Sequence, residues 1–386
     1  MTDRPEWLAK VDQRLSQRSV LWLSGVRRVG KTTLCRSLPG AELFDCELPR
    51  VRRSLDDPEV FFRQRAGLVV LDEIHRLLHP SEVLKIAADH FPHLRVVATG
   101  SSTLAARSKF RDTLAGRKLE LWLTPMTAAD ARAFGVRDLD RRMLHGGLPS
   151  FFLADRPDDA LYREWLDSYW AKDLQELFVV DKKSSFLKFV ELLFLQSGRR
   201  FEATAFAAPC EISRPTVQQY LQILETTLLA TVVRPYSGNH AREIRAQPKV
   251  YAFDTGFVAF MSGWTALTDE ARGLLLEHLV LNELLSELPR ETILFWRDKQ
   301  QHEVDFVISG VRGRPPLAIE VKLQPDKLSP SALRSFRALH PDGENWLVAR
   351  DVAASTWVKV GGIDVHVVPY EQLAEALRAW RDSGPG

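Results

Sequence analysis

The chain is poor in cysteine: Cys35, Cys46 and Cys210 are the only three among 386 residues. They lack metal-ligand spacing, which excludes a disulfide framework and a zinc module and points to a reducing compartment. It also lacks any uninterrupted apolar stretch long enough to cross a bilayer, and the opening MTDRPEWLAK has no signal-peptide apolar core. A cytoplasmic location without membrane contact is therefore expected. Charge of one sign is not in large excess either. A formal net charge of +2 does not announce a nucleic-acid binder, so any such surface has to be local. Internal repeats and low-complexity tracts are missing. The 45% hydrophobic and 26% charged residues are ordinary for a folded protein, and the length predicts two to three domains.

Against these absences, residues 21 to 33 read LWLSGVRRVGKTT, an apolar run ending in Gly25-x-x-x-x-Gly30-Lys31-Thr32. This is the spacing of a phosphate-cradling P-loop, preceded by a strand pattern and followed by the helix former TLCRSL. Gly25 and Gly30 let the backbone turn its N–H groups towards phosphates, Lys31 reaches the β/γ-phosphates, and Thr32 reaches Mg²⁺. Thr33 completes the expected nucleotide contacts. The run Leu68-Val69-Val70-Leu71 ends in Asp72 and Glu73, as a buried parallel strand would that carries its acids into the ligand crevice. Asp72 is expected in the Mg²⁺ shell and Glu73 beside the attacking water, although an acidic helix cap reads similarly. A third apolar strand, 94–98, ends in Thr99-Gly100-Ser101-Ser102, where Ser101 can face a γ-phosphate or simply belong to a turn.

Strand and helix patterns alternate from about Ser19 to Leu123, which predicts an α/β domain with a mostly parallel sheet covered by helices on both faces. From Thr127 to Phe178 the pattern is helical, broken at Gly146-Gly147-Leu148-Pro149. Between Ser184 and Thr255 it reads as three helices and two strands. Ser213 is the predicted N-cap of a helix with Pro215 in its first turn and Val217, Tyr220, Leu221 and Leu224 on one face. That is how the second helix of a helix-turn-helix begins, and the two strands form a β wing around the loop Ser237 to Gln247. Residues 186 to 250 hold eight Lys/Arg (Lys188, Arg199, Arg200, Arg214, Arg234, Arg242, Arg245, Lys249) against five Glu, a local excess of three. Winged helices contact DNA, and they also serve as docking modules or lids.

In the last third, Leu274, Leu281, Leu285 and Leu288 mark one helical stripe, and Glu277 falls inside it. A carboxylate there is costly unless paired or metal-bound. Two strand patterns offer partners: Asp305 lies opposite Val304 and Phe306, and Glu320 shares a face with Lys322. One helix acid, one strand acid and a Glu-x-Lys pair form a divalent-metal phosphodiester-cleaving arrangement, in which Glu277, Asp305 and Glu320 would coordinate Mg²⁺ and Lys322 would orient the water. Half-exposed strands alternate charged and apolar residues in the same way.

The stretches GVRRVGKTTL, VVLDEI, ATGSS, LAGR, GGLP, KVYAFDTG, GLLLEHLVLNEL, FWRDKQQHEVDFVI and AIEVK resemble bacterial and archaeal ATP-binding proteins joining an AAA+ module to a winged helix and a restriction-endonuclease-like domain. The last set also resembles Holliday-junction resolvases and other PD-(D/E)xK nucleases, although Val304 stands where the usual Pro precedes the acid. The resemblance implies ATPase roles for Lys31, Thr32, Asp72 and Glu73, an arginine finger at Arg117, a homo-oligomer, and nuclease roles for Glu277, Asp305, Glu320 and Lys322. Three segments are expected: 1–126 the ATPase, 127–255 a helical lid and winged helix, and 256–386 a PD-(D/E)xK-like α/β domain. The favoured function is ATP-dependent binding and processing of DNA, branched or forked, with ATP and Mg²⁺ as cofactors. Its rival is a nucleotide-gated regulatory switch, in defence or toxin control, whose nuclease-like domain binds without cutting.

Overall fold

A computed structural model describes residues 3–100, 114–175, 182–239, 243 and 246–383. The first domain holds five strands: β1 (Val20–Ser24), β2 (Ala41–Asp45), β3 (Leu68–Asp72), β4 (Arg95–Thr99) and β5 (Lys118–Trp122). They are all parallel, in the order β2-β3-β4-β1-β5. Every residue of β1 and β3 is buried, as their continuous apolar runs require. The two-residue period splits β1 between two cores: Leu21 and Leu23 pack with Trp7, Val11 and Leu34, while Val20 and Trp22 pack with Phe61, Phe62 and Leu84. Helices thus cover both faces, as expected. Strand β2 was not expected, because Glu42 and Asp45 break its apolar pattern. It lies at the sheet edge, where no residue of it is fully buried.

The central region is helical, with helices Ala128–Ala133, Leu139–His145, Pro149–Phe152 and Asp159–Tyr169, the last running on into one π-helical turn, Trp170–Leu174. Helices Lys183–Leu195, Ala203–Ala207 and Arg214–Thr226 follow, with the strands β6 (Arg199–Arg200), β7 (Ala230–Pro235) and β8 (Lys249–Ala252). Ser213 caps the third helix, its Oγ accepting the Thr216 N–H at 3.3 Å, and Pro215 sits in the first turn. β6 and β7 flank β8, both antiparallel to it.

The C-terminal region adds β9 (Ile293–Arg297), β10 (Glu303–Ile308), β11 (Leu317–Lys322), β12 (Asn345–Ala349), β13 (Thr356–Val360) and β14 (Ile363–Pro369). β7 pairs parallel with β9 through Arg234–Leu294 and Pro235–Phe295. One nine-stranded mixed sheet, ordered β13-β14-β12-β11-β10-β9-β7-β8-β6, therefore runs through the central and C-terminal regions. The helix Asp269–Glu287 is enclosed on more than the expected stripe. Leu274 and Leu285 are only half-buried, whereas Leu275, Leu276, Leu279, Val280 and Leu284 are buried.

Two distant motifs meet here: Asp254 of AFDTG accepts the N–H groups of Gly147 in GGLP and of Gly256. Nearby, Glu283 is 1% exposed and accepts the Ala128 N–H at 2.7 Å and the Tyr370 hydroxyl at 3.2 Å, tying the central region to the C-terminal one. Burial pushes its carboxyl up to about 7, and its second oxygen is buried without a partner. Below the unfolded carboxyl pKa both states carry the proton. As pH rises towards 7 only the folded state retains it, so this group lowers stability between those limits. Glu283→Gln is expected to unfold at a higher temperature than wild type at about pH 8, with the gain vanishing near about pH 4.5. A gain independent of pH in thermal melts would show that folding does not raise this carboxyl.

Candidate functional site

The parallel order brings the carboxyl ends of β1, β3 and β4 together. Between β1 and the helix Lys31–Arg36 the chain turns through Gly25 at φ 154° and Gly30 at φ 102°. A Cβ on Gly25 would stand 2.7 Å from the Leu123 carbonyl oxygen, so no side chain fits there. Lys31 Nζ donates to the carbonyls of Gly25 at 2.8 Å and Val26 at 3.2 Å. Burial lowers its pKa, while Glu73, Asp173 and Asp72 oppose that shift.

Thr32 Oγ1 donates to Asp72 Oδ2 at 2.8 Å, and Thr99 Oγ1 donates to Asp72 Oδ1. Two adjacent hard oxygen donors fit Mg²⁺, which when bound would neutralise phosphate charge. Glu73 follows Asp72 in the left-handed region at φ 53°, an uncommon conformation for a non-glycine residue that typically persists at functional sites. Its N–H donates to Thr99 Oγ1 at 3.2 Å, and its Oε2 lies 3.0 Å from His75 Nδ1. Burial raises the Glu73 carboxyl, but His75 and Lys31 outweigh this and hold it below the usual range.

These groups open on a cavity of about 400 Å³ that Gly30, Lys31, Thr32, Thr33 and Glu73 help to line. Four of its other lining residues, Arg27, His75, Tyr169 and Asp173, were not expected. Arg27 lies inside the motif, but Tyr169 and Asp173 sit in a helical tract with no local mark of function. Ser101 lies outside the described residues. Arg117 does not line the cavity; its Nε donates to Asp89 Oδ1 at 2.7 Å, the surface pairing that a guanidinium before a strand readily makes.

The acids of the last domain come together differently from the expectation. Asp305 does face away from buried Val304 and Phe306, and Lys322 Nζ lies 3.2 Å from Asp305 and 2.7 Å from Glu320. Glu277, however, accepts from the Tyr251 hydroxyl and from Lys249 Nζ at 3.1 Å. Lys249 also reaches Glu303 at 2.7 Å, and Glu303 pairs with Arg297 at 2.6 Å. Among the described residues no group of three or more His, Cys, Asp or Glu is arranged to hold a metal ion. As placed, Glu277 is neutralised by Lys249, and Asp305 and Glu320 by Lys322, the lysine expected beside them. Glu320 Oε1 remains buried without a partner, and burial with the Asp305 charge pushes its carboxyl up to about 8. A single orphaned oxygen marks a polar core under electrostatic load. It does not supply the converging ligands a divalent ion needs.

Lys249 was counted towards a basic DNA surface, yet it is 4% exposed and serves this network. Arg242 and Arg245, also counted, lie outside the described residues. Arg214, Gln218 and Gln219 are exposed on the helix Arg214–Thr226, as its apolar spacing required. No described helix is long and apolar enough to cross a membrane.

Three family models match successive parts of the chain: "AAA domain" over residues 17–131, "Domain of unknown function (DUF8612)" over 136–268, and "Domain of unknown function (DUF4143)" over 272–372. Uncharacterized protein Rv2008c of Mycobacterium tuberculosis and Uncharacterized protein Mb2031c of Mycobacterium bovis are each 28% identical over 349 residues, spanning 88% of this chain and 77% of theirs. Among solved structures, the P-loop NTPase domain of the sigma-54 transport activator from E. coli is 20% identical, covering 30% of this chain and 95% of that one at a TM-score of 0.22. The Bacillus subtilis DNA clamp loader delta protein is 12% identical, covering 71% of this chain and 99% of that one at 0.26. At those scores neither likeness bears on function. The N-terminal domain carries a P-loop and matches an AAA domain over residues 17–131.

Proposed function

We infer that this protein is an ATP-hydrolysing, nucleotide-gated switch, in which Lys31 and Thr32 hold the phosphates, Thr32 and Asp72 hold Mg²⁺, and Glu73 orients the attacking water. One observation carries the gating: the cavity that the P-loop opens on is also lined by Tyr169, Lys172, Asp173, Thr227 and Leu229 of the central region. A nucleotide there touches both regions, so its arrival and hydrolysis bias their arrangement. The regulatory reading is preferred to DNA cleavage because Lys249 and Lys322 pair with the carboxylates that were expected to bridge a metal ion. Isothermal titration of ATP into wild type and Lys31→Ala, alongside supercoiled plasmid incubated with Mg²⁺ or Mn²⁺, tests both halves. ATP binding lost in the variant and an intact plasmid are expected; nicking that Lys322→Ala abolishes would restore the nuclease reading.

DNA contact is a second reading, favoured by the exposed Arg214, Gln218 and Gln219 on a capped helix beside a β-sheet. If these groups meet phosphates, Arg214→Ala weakens duplex binding similarly across sequences and lowers the salt slope by about one. An unchanged slope would turn this face to protein. Assembly is a related proposal. If Arg117 acts on a neighbour's nucleotide, turnover rises more than linearly with protein concentration, and mixing Arg117→Ala with Glu73→Gln subunits recovers activity. A monomer with full activity would leave Arg117 a structural role.

A further inference from the structure

We propose that Asp173 is a built-in anion that competes with nucleotide phosphates for the cations of the P-loop, and that an incoming nucleotide displaces it and so moves the helix that carries it. The proposal rests on the nucleotide-site reading above. Asp173 lies in the π-helical turn Trp170–Leu174, closed by the Gln175 N–H on the Trp170 carbonyl at 3.1 Å. Single π turns inside α-helices recur at functional sites, where they aim a side chain that an α-helix would direct elsewhere. Here the aimed carboxylate lines the same cavity as Gly30, Lys31 and Thr32.

Its pairing there is incomplete. Asp173 Oδ2 lies 3.6 Å from Arg27 Nη1, too far for a hydrogen bond, and is buried without a hydrogen-bond partner. Arg27 Nε, in the P-loop, is likewise buried with no acceptor. A guanidinium left so is costly, and its cost falls when an anion with several acceptor oxygens reaches it. Burial outweighs Arg27 and Lys31 and raises the Asp173 carboxyl, while those two cations favour its charged form. A triphosphate serves the same cations better and repels the carboxylate.

The displaced segment has a route outward. Tyr169, four residues before Asp173, bonds through its hydroxyl to Thr227 Oγ1 at 2.7 Å, and Thr227 closes the helix Arg214–Thr226. Phosphate occupancy would thereby reach the helix whose outer face carries Arg214, Gln218 and Gln219.

The test compares wild type, Asp173→Asn and Asp173→Glu by calorimetric ATP titration, with hydrogen exchange read over residues 165–175. Asp173→Asn keeps the shape and removes the charge, so it is expected to bind ATP about tenfold more tightly. Asp173→Glu keeps the charge and is expected to show no gain. In wild type, saturating ATP is expected to speed exchange across this segment. Weaker or unchanged ATP binding in Asp173→Asn, or equal tightening in Asp173→Glu, would overturn the proposal, as would exchange slowed by ATP. Equal ATP binding by wild type and Lys31→Ala would instead defeat the nucleotide-site reading itself.

Discussion

Glu73→Gln is expected to lower ATP turnover by about 100-fold or more while nucleotide affinity stays within about threefold. The glutamine keeps the side-chain shape, but it cannot accept a proton or draw a water as the carboxylate does. Glu73 is held ready by three features: the left-handed backbone at φ 53°, the N–H on Thr99 and the contact with His75 at 3.0 Å. Lys31→Ala acts on the other side of the reaction. It removes a charge-assisted contact to phosphate and should weaken ATP binding by roughly 30-fold to 1,000-fold. Single-turnover kinetics beside equilibrium titration separates the two effects. Equal turnover in Glu73→Gln and wild type would remove the water-orienting role and leave Glu73 a structural acid.

Lys249→Met is expected to destabilise the protein by about 3–5 kcal/mol, the usual consequence of removing one partner from buried ion pairs. Lys249 is the cation shared by Glu277 and Glu303, and its side chain is 5% exposed. Burial by itself would lower its pKa, but Tyr251, Glu277 and Asp305 act the other way and hold it well above its ordinary value. Without it, Glu277 keeps only the Tyr251 hydroxyl and faces the repulsion of Asp305. Millimolar Mg²⁺ or Mn²⁺ should not recover the melting temperature if these acids form a polar core. Recovery by either ion in differential scanning calorimetry, lost again in Asp305→Ala, would mean that the lysine stands where a metal belongs.

The two variants probe sites of different legibility. The P-loop was readable because its determinants are contiguous: Gly25, Gly30, Lys31 and Thr32 act through backbone turns and reach that hardly depend on the rest of the chain. Asp72 was readable because a continuous apolar run followed by an acid has few places in a parallel sheet. The alternation in β10 and β11 likewise placed Asp305 beside Glu320 and Lys322, since a two-residue period orients side chains locally. The single stripe drawn on the helix Asp269–Glu287 failed because elements from several regions enclose it, so periodicity marked one contact face among several. The β7–β9 pairing was invisible because strand partners far apart in sequence leave no local pattern.

The sequence by itself thus determined the phosphate-binding turn, the acids that follow β3 and the capped helix at Arg214, all products of spacing within a few residues. Only the tertiary structure decided which partner each buried charge received. Lys249, Tyr251, Glu277 and Glu303 come from three separate elements, and a metal cluster or a lysine-neutralised core can be written on the same acids. Asp173 carries no mark in its own segment, and it gains a role because the fold buries its carboxylate against Arg27 in a cavity it shares with Lys31. Electrostatic energy depends on distance and burial, and both are set by how elements pack and not by where residues stand in the chain.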